Sequence, residues 1–287
     1  MAISANAVWN IRASATGTAG KNGGFFVTGA SGTNYSLQDG AQYALTGVTS
    51  GGAGNTITVA SASADMIGNG IFVVSGTNFT LNSWFEITNV VGTTITCSTN
   101  AAGASISTGI GSAGVMNIGG ANLLNSILAD DKFEAGAAGN TYYIMSGSYT
   151  VGESISLARD GTTSLPIKIK GYTSTQGDSC TGDSRPVLSF GSFSLTLGSY
   201  YWCHNLSINS SSTSTLTMGA SNKIVNCKVI NKSSTGTNGI NASTNFFIHS
   251  CEAACHGLGT AINLSTNSGT VADCYIHSSS SGIVSAL

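Results

Sequence analysis

The 287-residue sequence predicts an all-β protein whose last part winds into a parallel β-helix. Three observations predict it. Short apolar runs alternate with Gly, Asn and Ser clusters along almost the whole chain, which is the pattern of many short strands. Helix-period spacing is confined to Ala121-Asn-Leu-Leu-Asn-Ser-Ile-Leu-Ala129. Near the C-terminus, one four-residue motif recurs at a nearly constant interval.

The strands read in order are Phe25-Phe-Val27, Thr56-Ile-Thr-Val59, Ile71-Phe-Val-Val74, Thr94-Ile-Thr96 and Ile167-Lys-Ile169. The repeat follows as Cys203-His-Asn-Leu206, Ile224-Val-Asn-Cys227, Ile248-His-Ser-Cys251 and Val271-Ala-Asp-Cys274, with start-to-start spacings of 21, 24 and 23 residues. Two residues after each segment comes another small or apolar side chain: Ile208, Val229, Ala253 and Ile276. A period in the low twenties with three short strands per repeat suits one coil of a β-helix, each coil stacked about 4.8 Å above the last. Equivalent side chains then form columns. Leu206, Cys227, Cys251 and Cys274 make one inward column, and Cys203, Ile224, Ile248 and Val271 another. Between them, Asn205, Asn226, Ser250 and Asp273 fall in a sharp bend, where Asn tolerates the left-handed conformation and bonds its neighbours in the stack.

Composition narrows the function. Hydrophobic residues make up 41%, glycine fills 38 positions and proline 2, but charged residues are only 8%, against roughly 25% in a typical soluble domain. Ten Lys and Arg against twelve Asp and Glu give a net charge of −2. That balance argues against a nucleic-acid binder and against a polybasic membrane-surface protein. No apolar run approaches the roughly 20 residues of a spanning helix. The first ten residues lack a cationic start and an apolar stretch, so no secretory leader is expected there. Seven cysteines without a CxxC argue for buried thiols. A disulfide reading of the Cys column stays open beside that one.

Gly139-Asn-Thr-Tyr-Tyr-Ile-Met-Ser-Gly-Ser-Tyr-Thr150, then Leu165-Pro-Ile-Lys-Ile-Lys-Gly-Tyr172 and Gly177-Asp178, resemble the first coils of the pectate-lyase-like right-handed parallel β-helix superfamily. The resemblance covers residues 119–287 and places the family's amphipathic N-terminal cap on 121–129. It implies the fold and leaves activity open, because the fold hosts lyases, hydrolases and plain shafts. A second resemblance lies upstream. Trp9-Asn-Ile-Arg12 and the Gly-rich segment Gly20 to Ser36 look like the opening of β-helix proteins from environmental bacteriophage genomes. The expected organisation is an opening segment over 1–47, a small inserted β subdomain of four to six strands over 48–118, and the right-handed parallel β-helix with its N-terminal cap over 119–287.

An enzyme of this fold needs clustered acids, often with calcium. From residue 186 onward the chain has two carboxylates, Glu252 and Asp273, and no arginine. They fall on opposite sides of their cysteines in the repeat and are not expected to share a column. Asp130, Asp131 and Glu134 read as a solvated loop, and Asp178 and Asp183 beside Cys180 as a polar turn or a weak cation site. His204 and His249 recur two coils apart, about 9.6 Å, too far to share one metal. Cys255, His256 and His277, with Cys251, are the remaining metal or nucleophile candidates. Neighbouring strand residues point to opposite faces, which argues against their convergence. No phosphate loop, dinucleotide fingerprint or GxSxG is present.

Tyr172, Tyr200, Tyr201 and Trp202, near columns of Ser, Thr and Asn, suit carbohydrate contact, with packing against a neighbouring chain as the equal alternative. The expectation is a virion protein of a bacteriophage, a fibre, spike or capsid decoration, adhesive and without cofactor, with host glycan as ligand. A polysaccharide depolymerase and a secreted, extracellular adhesin are the competing readings. The strand-like Gly282-Ile-Val-Ser285 close to Leu287 reads as an uncovered last coil. From it follows an expected partner, a further copy in a trimer or end-to-end assembly or another virion protein, or else a chain that continues.

Overall fold

The structure, a computed structural model, describes residues 3–12, 23–47, 55–100, 102–120, 137–178, 180, 184–235, 238–265 and 268–278, and the backbone of 284–285. The cap helix expected over 121–129 lies outside the described residues, as do Asp130, Asp131, Glu134 and Asp183. The described residues divide into two compact units, one reaching residue 120 and taking in 137–141, the other from 142 onward.

In the first unit, β1 (Ala7–Ile11) and β2 (Phe25–Val27) form an antiparallel pair with Trp9 opposite Phe25. The next six strands are β3 (Ala41–Gly47), β4 (Thr56–Val59), β5 (Gly70–Phe79), β6 (Ser83–Val91), β7 (Thr94–Cys97) and β8 (Ser107–Ile118). They close into a barrel in the order β3-β4-β7-β6-β5-β8. Closure removes the unpaired strand edges that an open sheet of this size would expose. Its interior holds Leu45, Ile57, Ile71, Phe85, Ile95 and Met116, all within 1% of full burial. The inserted β subdomain is therefore a six-stranded barrel, and it starts at Ala41 rather than 48. The separating turn is Gln38-Asp39-Gly40, and the weak apolar pattern of Ala41–Gly47, with only Leu45 buried, hides that strand in the sequence.

The second unit is a parallel β-helix of six successive strand triplets. They are β9 (Thr141–Met145), β10 (Ser148–Thr150) and β11 (Ile155–Leu157), then β12 (Ile167–Tyr172), β13 (Val187–Ser189) and β14 (Leu195–Leu197). The repeat motifs supply β15 (Tyr201–His204), β16 (Ser207–Ser210), β17 (Ser214–Met218), β18 (Lys223–Val225), β19 (Lys228–Asn231) and β20 (Asn238–Ala242). The last six are β21 (Phe246–His249), β22 (Glu252–Cys255), β23 (Thr260–Leu264), β24 (Gly269–Ala272), β25 (Tyr275–Ser278) and β26 (Val284–Ser285). Every third strand pairs in parallel, giving three sheets that run along the stack.

The registers put equivalent residues in line. Ile169, Cys203, Ile224, Ile248 and Val271 are successive partners in the first sheet, and Ile208, Val229, Ala253 and Ile276 in the second. Cys203, Ile224 and Ile248 are fully buried, while Val271 in the sixth coil is 36% exposed. Leu206, Cys227 and Cys251 are buried and Cys274 partly so. All seven cysteines are free thiols. The three column thiols donate to backbone carbonyls, Cys227 to Val225, Cys251 to His249 and Cys274 to Ala272, at 3.1–3.3 Å. Burial pushes the Cys203 thiol up to about 12 and Cys251 to about 11, and raises Cys227 far above its usual range. Protonated thiols of this kind are inert packing groups.

In the last four coils the chain turns between the first and second sheets on one left-handed residue each: Asn205, Asn226, Ser250 and Asp273, with φ of 58°, 51°, 53° and 51°. The amides join the coils. Asn226 Nδ2 donates to Asn205 Oδ1 (2.7 Å) and to the Cys180 carbonyl (2.8 Å), and Arg185 donates to Asn226 Oδ1.

Candidate functional site

The turns from the third sheet back to the first also use left-handed residues, Tyr200, Ser221 and Asn245, with φ of 60°, 58° and 55°. A non-glycine residue there costs about 1–3 kcal/mol, which the surroundings must offset. Buried Asn222 supplies part of that offset. Its Oδ1 accepts from the Tyr201 N–H at 2.7 Å and its Nδ2 donates to the Gly198 carbonyl at 2.9 Å. The turn side chains, with Thr163, Trp202 and Lys223, line a surface recess of about 390 Å³.

From this recess a face extends across the outside of the first sheet. Strand alternation sends Cys203, Ile224 and Ile248 inward and their predecessors outward. One outward column is therefore Lys168, Trp202, Lys223, Phe247 and Thr270, and the next is Lys170, His204, Val225, His249 and Ala272. Lys223 Nζ lies 4.3 Å from the Trp202 ring centroid and Lys168 Nζ 5.7 Å from it, both within cation–π range. Lys170 Nζ lies 5.9 Å from the Tyr143 ring, and Phe247 stacks on His249 at 5.7 Å with an interplanar angle of 5°. His249 Nε2 meets Asp273 Oδ2 at 2.9 Å at the bend that closes the face.

The clustered cations act on one another. His204 is held below its ordinary value by burial, then by Lys170, Lys223 and Lys168. Burial, then Lys168, lowers Lys170. The unfolded chain consequently takes up a proton at His204 more readily than the folded one. Stability from this group is intact above the ordinary histidine value of about 6.5 and falls as the pH drops below it. His204→Gln is expected to make the acid-side decline shallower. Urea midpoints of both proteins at about pH 7.5 and about pH 5 test this, and parallel declines would refute it.

Of the four aromatic residues expected to contact carbohydrate, Tyr200 and Trp202 line the recess. Tyr172 and Tyr201 do not. Tyr201 is 1% exposed, in step with inward Cys203, and its hydroxyl donates to the Arg159 carbonyl at 2.6 Å. Tyr172 is 4% exposed, with its ring against Tyr143 at 6.1 Å. Both are packing residues.

The polar candidates are also held apart. Glu252, on the second sheet, receives Lys228 Nζ at 3.0 Å and His277 Nε2 at 3.6 Å, whereas Asp273 is with His249 on the first. Cys255 is fully buried and the adjacent His256 is exposed, so Cys255, His256 and His277 do not converge as metal ligands. Among the described residues no group of three His, Cys, Asp or Glu is placed to hold a metal ion. Asp178 closes a turn, accepting from the backbone N–H groups of Thr173, Ser174 and Thr175 at 2.7–3.0 Å, and these bonds lower its pKa.

Sequence reasoning missed Tyr143, Lys168, Lys170, Lys223 and Phe247 as members of the face. The signal was available: Trp202, Lys223 and Phe247 each stand one residue before an inward column residue. No family model, curated protein or solved structure matches the chain.

Proposed function

We propose that this protein is a structural and adhesive component of a bacteriophage virion whose β-helix binds a glycan without cleaving it. The observation that carries the binding is Trp202. Its ring lies in a recess with Thr163, Tyr200, Ser221 and Asn245, which supply hydroxyl and amide groups beside an aromatic surface. Sugars use both features, stacking C–H faces on the ring and bonding through their hydroxyls. The virion assignment is supported by the resemblance of the opening segment to phage β-helix proteins. The separation of Glu252 from Asp273 supports binding over hydrolysis, which requires two carboxyl groups flanking one bond.

Trp202 also provides the assay. Trp9 and Trp84 are buried, so a ligand in the recess changes the emission and quenching of Trp202 alone. Trp202→Ala is expected to weaken glycan binding about tenfold on an array and in titration, a loss of about 1.4 kcal/mol, with the thermal midpoint followed alongside to show that the fold is kept. Unchanged binding by this variant, or release of shortened glycan by the parent protein, would overturn the reading.

A further inference from the structure

We infer that the outer face of the first sheet selects an acidic glycan, one bearing carboxylates on alternate sugars, laid along the stack of coils across Lys168, Trp202 and Lys223. The inference rests on the glycan-binding reading above and specifies its ligand class.

Charge pairing is the first support. Two cations outside the face are paired among the described residues: Lys228 meets Glu252 at 3.0 Å and Arg12 meets Asp39 at 3.4 Å. Lys168, Lys170 and Lys223 form no ion pair among the described residues, although they share one face. The two outward columns of β12, β15, β18, β21 and β24 hold Lys, His, Trp, Phe, Val, Thr and Ala residues and no carboxylate. Asp273 sits at the bend, already engaged with His249. Three of the chain's ten Lys and Arg are thus gathered on one face without a carboxylate partner among the described residues, in a protein of net charge −2. His204 and Lys170 are held low by burial first and by the neighbouring lysines second, and a bound anion would relieve the second part.

Spacing is the second support. Lys168, Trp202 and Lys223 occupy consecutive coils in register, so the two ammonium groups are rooted about 9.6 Å apart with the indole midway. A pyranose residue advances an extended glycan by about one coil. A sugar that stacks on Trp202 displaces the lysine ammonium now over that face of the ring, and the acidic groups of its two neighbours then come near Lys168 and Lys223. Single-stranded nucleic acid also uses basic and aromatic surfaces. A phosphate at every nucleotide calls for a longer run of cations than this face has, and the face carries no arginine.

The test uses the full chain with hyaluronan hexasaccharide, its methyl ester and an oligo(dT) of similar length, read by Trp202 fluorescence over a salt series. The acid form is expected to bind more than tenfold tighter than the ester at low salt, and to lose that margin as salt rises. The double variant Lys168→Gln, Lys223→Gln is expected to bind both forms alike. Lys232→Gln, away from the face, should behave as the parent.

Equal binding of acid and ester by the parent, with Trp202-dependent affinity retained, would overturn the acidic specificity and leave the glycan-binding reading standing. Binding of neither hyaluronan form, with none on a wider glycan array, would overturn both. Oligo(dT) binding as tight as the acid form, lost in the double variant, would overturn this inference in favour of nucleic acid. A matching thermal midpoint for the double variant and the parent excludes misfolding as the cause of a loss.

Discussion

Ile224→Ala is expected to destabilise the β-helix by about 2–5 kcal/mol, a large share of the 5–15 kcal/mol that holds a typical domain. Ile224 is completely buried and lies in register between Cys203 and Ile248. Shortening it removes contacts with the coils on both sides. The surrounding backbone cannot close the gap, because each strand is fixed by parallel ladders above and below. The cost therefore includes the cavity as well as the lost transfer energy. Ile224→Val, which removes one methylene, should cost about 0.5–1.5 kcal/mol. Denaturant titration of both variants checks the ratio. An alanine variant within about 1 kcal/mol of the parent would mean that the stack relaxes more freely than packed columns allow.

Asn226→Val is expected to rival it. Asn226 sits at φ 51°, where a β-branched residue is strained by about 1–3 kcal/mol. Valine also removes an amide with bonds to Arg185, Cys180 and Asn205. Leaving the Arg185 guanidinium short of a partner adds about 1–3 kcal/mol. Asn226→Gly separates the two effects, since glycine adopts this conformation without strain and loses only the amide. The expected order of stability is parent, then glycine, then valine. Equal stability of the glycine and valine variants would show that conformation contributes nothing at this bend.

The coils were legible because two independent periods agree in the sequence. The interval between Cys203, Ile224, Ile248 and Val271 marks the coil, and alternation within each strand marks the inside. The bend was legible because Asn, Asn, Ser and Asp recur at one place, and these short polar side chains tolerate left-handed backbone best. Alternation also separates Tyr201 from Trp202, the one facing in with Cys203 and the other out. Treating the aromatic residues as a composition cluster concealed this. Tyr172 escapes the rule altogether, since Gly171 and Tyr172 are both buried where strict alternation would expose one. The lysines of the face are less legible, because their feature lies in the spacing of cations around rings and not in an acid cluster or a metal-ligand motif. The start of the barrel at Ala41 was hidden for another reason. Only Leu45 of β3 turns fully inward, so no apolar rhythm announces the strand.

The direction of the ladders has a mechanical consequence. The chain of the second unit runs around each coil, while its inter-strand hydrogen bonds point along the stack. Tension applied along the stack loads those bonds one layer at a time, as in peeling rather than shearing. A coil of 21–24 residues that let go would pay out up to about 70–85 Å of chain. Rupture would then advance in steps of one coil, each absorbing work before the next is exposed. A tether built this way yields gradually under load and keeps its remaining layers intact.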